Sequence, residues 1–350
     1  MSEQGEERHA VPPTPPPTGP RLRRLIDLAA GPPYRNALVV VAVAIAMASL
    51  FGASYSLVLG RVTPHHLPAG VVGDPARDPR LIGAFQRATR GALELHPFRS
   101  VAAAQVAINE QRIYAALVLG RGRPLLLVSS ASGVSVARVL EQTAMRAGQY
   151  VSPPPVVRDL HPLPPADPQG LVGFYATLAA TILGFVSVFQ IATHAPQLLL
   201  GGWLAVIFVL AALGGLALAL VTGPLIGALR GGFAEIWGAL AAEIAAAALF
   251  CLLMRCLVGG WAIVPTWLLF VVFGNTSSGG TVAPPLLPPL YAFVGRYLPP
   301  GATVDILRRI VYFPHAQHIG PFLVQAGWLV CTLAALFVWV RFRGMRPGDR

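Results

Sequence analysis

One acidic residue lies in the middle of an apolar stretch, and it is the first candidate for chemistry. Glu243 falls inside the segment 236–257, which has the length and composition of a membrane span. An ionisable side chain at that depth is costly and normally faces the interior of a helical bundle or a water-filled cavity. We therefore expect Glu243 to line a substrate pathway. The alternative is a protonated Glu243 that only hydrogen-bonds a neighbouring helix.

A run of small polar residues follows the apolar segment 261–273. The sequence Gly274-Asn275-Thr276-Ser277-Ser278-Gly279-Gly280 cannot continue as a lipid-facing helix, because turn-forming residues leave backbone groups without partners. The chain therefore either leaves the bilayer here or re-enters it as a turn shielded by other helices. Four side chains are candidates for binding a substrate or lining a gate, with helix capping as the alternative: Asn275, Thr276, Ser277 and Ser278.

The other residues with reactive or metal-binding side chains form weaker patterns. His315 and His318 are three residues apart but have no carboxylate or cysteine beside them, and the pair His65-His66 is equally isolated. The three cysteines lie in predicted spans, where cysteine behaves as a small apolar residue. We predict no metal site, no cofactor and no catalytic residue, and hence a protein that is not an enzyme.

The composition indicates which class of protein must hold these residues. Of the 350 residues, 55% are hydrophobic and only 12% are charged, which is typical of a multi-span membrane protein. The formal net charge is +11, yet the basic residues are all arginines, concentrated in the tails and one polar block without aromatic interleaving. We therefore expect the lipid bilayer, and no nucleic acid, as a partner. Since a Walker A phosphate loop requires a lysine, we expect no ATP hydrolysis by that mechanism.

Six apolar segments are predicted to cross the membrane. Arginines precede the first segment and follow the last one, so the positive-inside rule places both termini in the cytoplasm of a multi-pass plasma-membrane protein. An even number of crossings agrees with that placement. The predicted spans are 37–59, 171–193, 198–221, 236–257, 260–273 and 321–340.

A polar block separates the first two spans. Its helix-like segments are 80–93, 100–111 and 134–148, its strand-like segments are 114–120 and 124–129 with a Gly-Arg-Gly-Arg turn between them, and 156–157 has the pattern of an edge strand. The predicted fold class is thus an α-helical integral membrane protein with six transmembrane helices and an extracytoplasmic α/β domain, residues 60–170, between the first and second.

The last five predicted spans form a membrane domain, residues 171–341. The remaining segments flank or interrupt it. Residues 1–36 are predicted to form a cytoplasmic tail rich in proline and arginine, with a short amphipathic stretch at 21–30. Residues 342–350 form a second cytoplasmic tail. The segment 274–320, which is rich in proline, is predicted to be an outer or re-entrant loop.

Several short motifs resemble those of a known family. After the run 274–280 come Leu286-Leu287-Pro288 and Tyr297-Leu298-Pro299-Pro300-Gly301, and Arg308 to Tyr312 precede the last span. In the polar block, residues 111–119 have the pattern of the family's strand entry. Together with the order of the spans, these motifs resemble the ABC-2 type transporter permease superfamily, specifically its phage-infection-protein-like branch.

The resemblance implies a function. It implies a permease component without its own ATPase that exports or laterally moves a hydrophobic or amphipathic substrate, as a homodimer or as a heterodimer with a similar permease. A separate ATPase subunit would dock at the cytoplasmic side, with Arg23, Arg24, His194 and Gln197 as the candidate docking residues. The competing hypothesis is a non-transporting cell-envelope membrane protein whose outer domain binds or scaffolds a partner.

Overall fold

The computed structural model describes residues 32–60, 64–120, 122–149 and 152–343. The predicted amphipathic stretch at 21–30 and most of the C-terminal tail lie outside these residues. The chain divides into two compact units, residues 1–49 and 50–350. Helix α1, Pro32–Gly60, begins in the first unit and ends in the second.

The described residues are mostly helical and include five helical segments that are long and apolar enough to cross a membrane. This confirms the prediction of several membrane-spanning helices. The predicted fourth and fifth spans fall within a single segment of 43 residues, so the count of six stays a prediction. The five segments are Tyr34–Val58, Val172–His194, Leu200–Leu225, Phe233–Asn275 and Ile319–Arg343.

The long segment changes its helical geometry at Gly259. Helix α7, Phe233–Val258, spans about 39 Å at 1.5 Å per residue. Gly259 follows with φ of +62°, a backbone conformation that favours glycine, and so ends the regular helix. A tight turn then leads into the short helix α8, Ile263–Trp267, and a π-helical stretch, Leu268–Asn275.

The predicted α/β domain consists of five strands and three longer helices among the described residues. In chain order they are β1 Leu67–Val72, α2 Pro79–Ala88, β2 Leu93–Phe98, α3 Val101–Asn109, β3 Ala115–Val118, β4 Leu125–Val128, α4 Val134–Ala147 and β5 Val156–Asp159. The strands form a sheet with the order β2-β1-β3-β4-β5. Strand β1 pairs in parallel with β2 and β3, β3 and β4 are antiparallel, and β4 and β5 are parallel.

Alternating side chains of the strands build a core on each face of the sheet. Ala115 and Leu117 pack with helices α2 and α4, whereas Ala116 packs with α3 on the opposite face. The predicted helix 80–93 is too long, because α2 ends at Ala88 and left-handed backbone at Arg90 and Gly91 turns the chain into β2. The sequence analysis missed β2.

The segment 274–320 is not an irregular loop as predicted, whereas its placement as an outer or re-entrant segment stays a prediction. It contains helix α9, Pro289–Gly295, and helix α10, Pro299–Tyr312. Each begins with proline, which the first helical turn tolerates because its N–H groups have no helical acceptor. Residues just before α9 and one residue within it belong to the α/β core, which includes Val282, Ala283, Leu286, Leu287 and Tyr291.

Helix α10 packs inside a bundle with α5 Val172–His194, α6 Leu200–Leu220, α7 and α11 Ile319–Arg343. Its residues Ile306 and Leu307 share an apolar cluster with Ala180 and Ile244. Glycine permits close approach of these helices, because a Cβ atom at Gly184 of α5 would lie 2.5 Å from the backbone oxygen of Ile244 in α7.

Candidate functional site

Glu243 is fully buried at the meeting point of four helices. Its Oε1 accepts a hydrogen bond from the Thr181 hydroxyl of α5 at 2.7 Å. Its Oε2 accepts one from the Thr303 hydroxyl of α10 at 2.8 Å and one from Gln325 Nε2 of α11 at 3.2 Å. We call Glu243, Thr181, Thr303 and Gln325 the glutamate network. It joins one side chain from each of four helices, α5, α7, α10 and α11.

All groups that contact the carboxylate are neutral donors. Gln325 Nε2 also donates to Thr303 Oγ1 at 2.5 Å, so the threonine hydroxyl both accepts and donates. Among the described residues, none of the ion pairs involves Glu243. The Oε1 of Gln325 is buried without a hydrogen-bond partner. A carboxyl group held in this way can gain or lose a proton without breaking a salt bridge.

The geometry agrees with the second interpretation of Glu243 in one respect, since the residue hydrogen-bonds neighbouring helices and does not line the cavity of about 550 Å³ between the α/β domain and the helices. Its role in a pathway stays a prediction. Thr181, Thr303 and Gln325 are not among the residues predicted from the sequence. Thr181 and Gln325 could have been found as polar side chains inside predicted spans. Thr303 gives no such signal, because it lies in the segment interpreted as a loop.

The four polar side chains of the run 274–280 are buried and bond mainly to the backbone just before them. Asn275 Nδ2 donates to the Phe270 oxygen at 3.1 Å, and the Ser277 hydroxyl donates to the Phe273 oxygen at 2.6 Å. Ser278 donates to the Asn275 oxygen at 2.7 Å, and Thr276 bonds to the Val272 oxygen. These bonds cap the π-helical stretch, as the alternative interpretation proposed.

A hydroxyl cluster connects this run to two helices. Ser54, in the last turns of α1, donates to the Val272 oxygen at 3.0 Å and to Thr276 Oγ1 at 3.3 Å. Its Oγ also lies 3.0 Å from the hydroxyl oxygen of Tyr291 in α9. Residue 276 is therefore part of the hydrogen bonding that holds α1, α9 and the π-helical stretch together.

A cavity with a volume of about 550 Å³ lies between the α/β domain and the helices. Gln111, Ile113 and Tyr114 line it from the domain, and Ser277 and Ser278 line it from the polar run. We call it the arginine cavity, because its charged lining residues are Arg296, Asp305, Arg308 and Arg309. Sequence analysis did not predict it, since its walls come from segments that lie far apart in the chain.

The candidate docking residues are only partly described. His194 and Gln197 are exposed where α5 ends, and the His194 Nδ1–H donates to the Gln190 oxygen at 2.9 Å. Helix α5 starts next to the α/β domain and is about 35 Å long, so His194 lies at its far end. Arg23 and Arg24 lie outside the described residues.

Comparison with protein-family models, with curated proteins and with solved structures found no match. The resemblance to ABC-2 type permeases therefore stays a prediction that rests on the motifs quoted above. Within the described residues, no group of three or more His, Cys, Asp or Glu side chains is placed to hold a metal ion. The two features that carry the functional argument are the glutamate network and the arginine cavity.

Proposed function

We propose that this chain is a membrane permease component, ABC-2-like in organisation, that exports or laterally moves an amphipathic substrate with energy from a separate ATPase. The observation that carries the proposal is the arginine cavity, because about 550 Å³ is enough for a small molecule or the head of a larger amphiphile. The cavity has both charged and apolar lining residues, which suits a substrate with both characters.

The proposal also draws on helix α10, which connects the cavity to the interior of the bundle. Ala302 and Asp305 line the cavity, while Thr303 on the same helix donates to Glu243. A substrate that displaces α10 would therefore change the glutamate network. Such a connection between a binding cavity and a polar network across four helices is what a moving part in a transporter requires.

The topology is part of the proposal. The chain crosses the plasma membrane six times, with both termini in the cytoplasm and the α/β domain outside. It acts as a homodimer or with a similar permease. The ATPase docks at the exposed turn that contains His194 and Gln197, which lies at the opposite end of α5 from the α/β domain.

One observation favours the competing function, a scaffold that does not transport. The sheet has helices on both faces, as expected for a binding module that folds by itself. Against this, five residues of the segment 282–291 belong to the same core as α2 and α4. A movement of the helical part would therefore be expected to displace the domain, and a protein that only anchors the domain does not need such a connection.

The test is reconstitution of the tagged full-length chain after mild detergent extraction. We expect an ATPase to co-purify, and its ATP hydrolysis to fall when the chain is removed. The double variant His194→Ala/Gln197→Ala is expected to lose this stimulation, whereas Arg77→Gln, an exposed change in the α/β domain, is expected to keep it. An ATPase that co-purifies but hydrolyses ATP equally well without the chain, or no ATPase at all, contradicts the proposal.

A further inference from the structure

The arginine cavity has an excess of positive charge. Its charged lining residues are three arginines and one aspartate, which leaves two positive charges in excess. Asp305 Oδ2 accepts from Arg309 Nε at 3.0 Å, and Arg309 also donates to the Ala316 oxygen at 2.9 Å. The pair Asp305 and Arg309 is thus neutral, and the excess belongs to Arg296 and Arg308.

These two arginines have donors to spare. The guanidinium of Arg308 uses one N–H in a bond of 2.6 Å to the Gly279 oxygen, out of the five that an arginine carries. The Arg296 side chain is exposed and makes no hydrogen bond or ion pair with another described residue. The site therefore offers guanidinium groups that favour oxyanions and are not satisfied by the protein itself.

Tyr114 adds a neutral donor to the same cavity. Burial raises the pKa of Tyr114 to about 12, and among the nearby charges those of Arg308, Arg296 and Arg309 oppose that rise. Its hydroxyl is therefore protonated at neutral pH. It makes no hydrogen bond to another described residue, so its proton remains available. The hydroxyls of Ser277 and Ser278, in contrast, already donate to backbone oxygens.

Exposed apolar side chains lie beside the charged lining. On α9, Leu290 and Phe293 are 64% and 60% exposed, and they precede the lining residues Gly295 and Arg296. On α11, Ile319 and Leu323 are 72% and 60% exposed, and they alternate with the lining residues Gly320, Pro321 and Val324. A ligand with its charge at the arginines thus has an apolar surface within reach for a hydrocarbon chain.

We propose that the arginine cavity binds the phosphate headgroup of an anionic amphiphile, with Arg296, Arg308 and Tyr114 as donors and the exposed residues of α9 and α11 against its hydrocarbon chain. Two guanidinium groups and a hydroxyl can donate to several oxygens of one phosphate, whereas a neutral headgroup offers fewer acceptors and no charge. The inference rests on the proposed function in one respect, since it names the class of substrate that the permease moves.

The experiment measures lipid binding by the full-length chain in a neutral detergent. Native mass spectrometry counts the bound molecules during titration with phosphatidic acid, with phosphatidylcholine of the same acyl chains, and with inorganic phosphate. We expect phosphatidic acid to bind at least about tenfold more tightly than either of the others, since the phosphate of phosphatidylcholine is esterified to a choline cation and inorganic phosphate lacks the hydrocarbon chains. Equal affinity for phosphatidylcholine excludes selection for a headgroup with net negative charge, and equal affinity for inorganic phosphate excludes a contribution from the hydrocarbon chains.

Variants test the residues. Arg296→Gln is expected to weaken binding of phosphatidic acid about tenfold without affecting folding, because this side chain is exposed and unpaired. Arg308→Gln is expected to do the same, although it also loses the bond to Gly279. Arg77→Gln, exposed in the α/β domain, is the matched control and keeps full affinity. Unchanged binding in Arg296→Gln overturns the assignment.

The results separate this inference from the proposed function. Binding of phosphatidic acid that depends on Arg296, in a protein that stimulates no ATPase, supports the site and contradicts the permease. Stimulation of an ATPase by a chain that shows no preference for phosphatidic acid supports the permease and contradicts the site.

Discussion

From the contacts of the glutamate network we predict how much stability is lost when the hydroxyl group of either of two buried threonines of helix α5 is removed. Thr177 and Thr181 are both fully buried and lie one turn apart. The Thr181 hydroxyl donates to Glu243 Oε1 at 2.7 Å, whereas the Thr177 hydroxyl donates to the Gly173 oxygen of its own helix at 2.9 Å. Substitution by valine keeps the shape of either side chain and removes only the hydroxyl.

The expected loss in the free energy of unfolding depends on which hydrogen bond each substitution removes. Oε2 of Glu243 keeps two donors in Thr181→Val, but Oε1 loses the single donor that the described residues provide. A hydrogen bond to a charged group contributes about 1.5–3 kcal/mol in general, and bonds between membrane helices reach about 1.7 kcal/mol. We expect Thr181→Val to lower the free energy of unfolding by about 1–2 kcal/mol. Thr177→Val, which loses a bond within its own helix, is expected to change it by less than about 0.5 kcal/mol.

The assay is reversible unfolding of the purified full-length chain in mixed detergent micelles. A double-mutant cycle adds Glu243→Leu, which removes the acceptor, so that Thr181→Val in that background no longer costs stability. Equal losses in Thr177→Val and Thr181→Val, or an unchanged loss in the Glu243→Leu background, would show that the contact between Thr181 and Glu243 contributes nothing.

Three further predictions concern packing and titration. Leu287→Ala is expected to lower the free energy of unfolding in micelles by about 2–4 kcal/mol, because Leu287 fills the core shared with the α/β domain. Leu290→Ala, on the exposed face of α9, is expected to lower it only slightly. Similar losses in the two variants refute the shared core. Gly184→Ala is expected to destabilise the bundle by about 1–3 kcal/mol, because the new methyl group would lie 2.5 Å from a backbone oxygen of α7; a neutral effect refutes that packing. Burial lowers the pKa of His161, so the folded protein binds its proton less readily than the unfolded chain does, and stability is expected to fall as the pH drops through 6.5. His161→Gln removes that part of the pH dependence in urea titrations, and an unchanged pH profile contradicts it.

The sequence predicts those features that local patterns determine. Continuous apolar runs predict the membrane-spanning helices, and the Gly-Arg-Gly-Arg turn between two apolar runs correctly predicts the antiparallel pair β3 and β4. The helices 100–111 and 134–148 are confirmed as α3 and α4, and the edge strand at 156–157 is confirmed as β5. In each case the residues that carry the signal are neighbours in the chain.

The sequence fails where a local pattern is ambiguous or a contact is distant. Strand β2 contains Pro97, which argues against a central strand, and the structure accordingly places β2 at the sheet edge. Prolines in 284–300 resemble loop residues, although Pro289 and Pro299 start helices. The partners of Glu243 are 60 to 82 residues away in the chain, so no spacing rule finds them.

Helix α10 contributes residues both to the glutamate network and to the lining of the arginine cavity. Thr303 donates to Glu243, while Ala302 and Asp305 of the same helical turn line the arginine cavity. Helix α10 packs against α5, α7 and α11, so a ligand that displaces α10 is expected to shift Thr303 relative to Glu243. Since Gln325 donates to both Thr303 and Glu243, that shift is expected to reach helix α11 as well, and the cavity and the bundle interior are then expected to respond together.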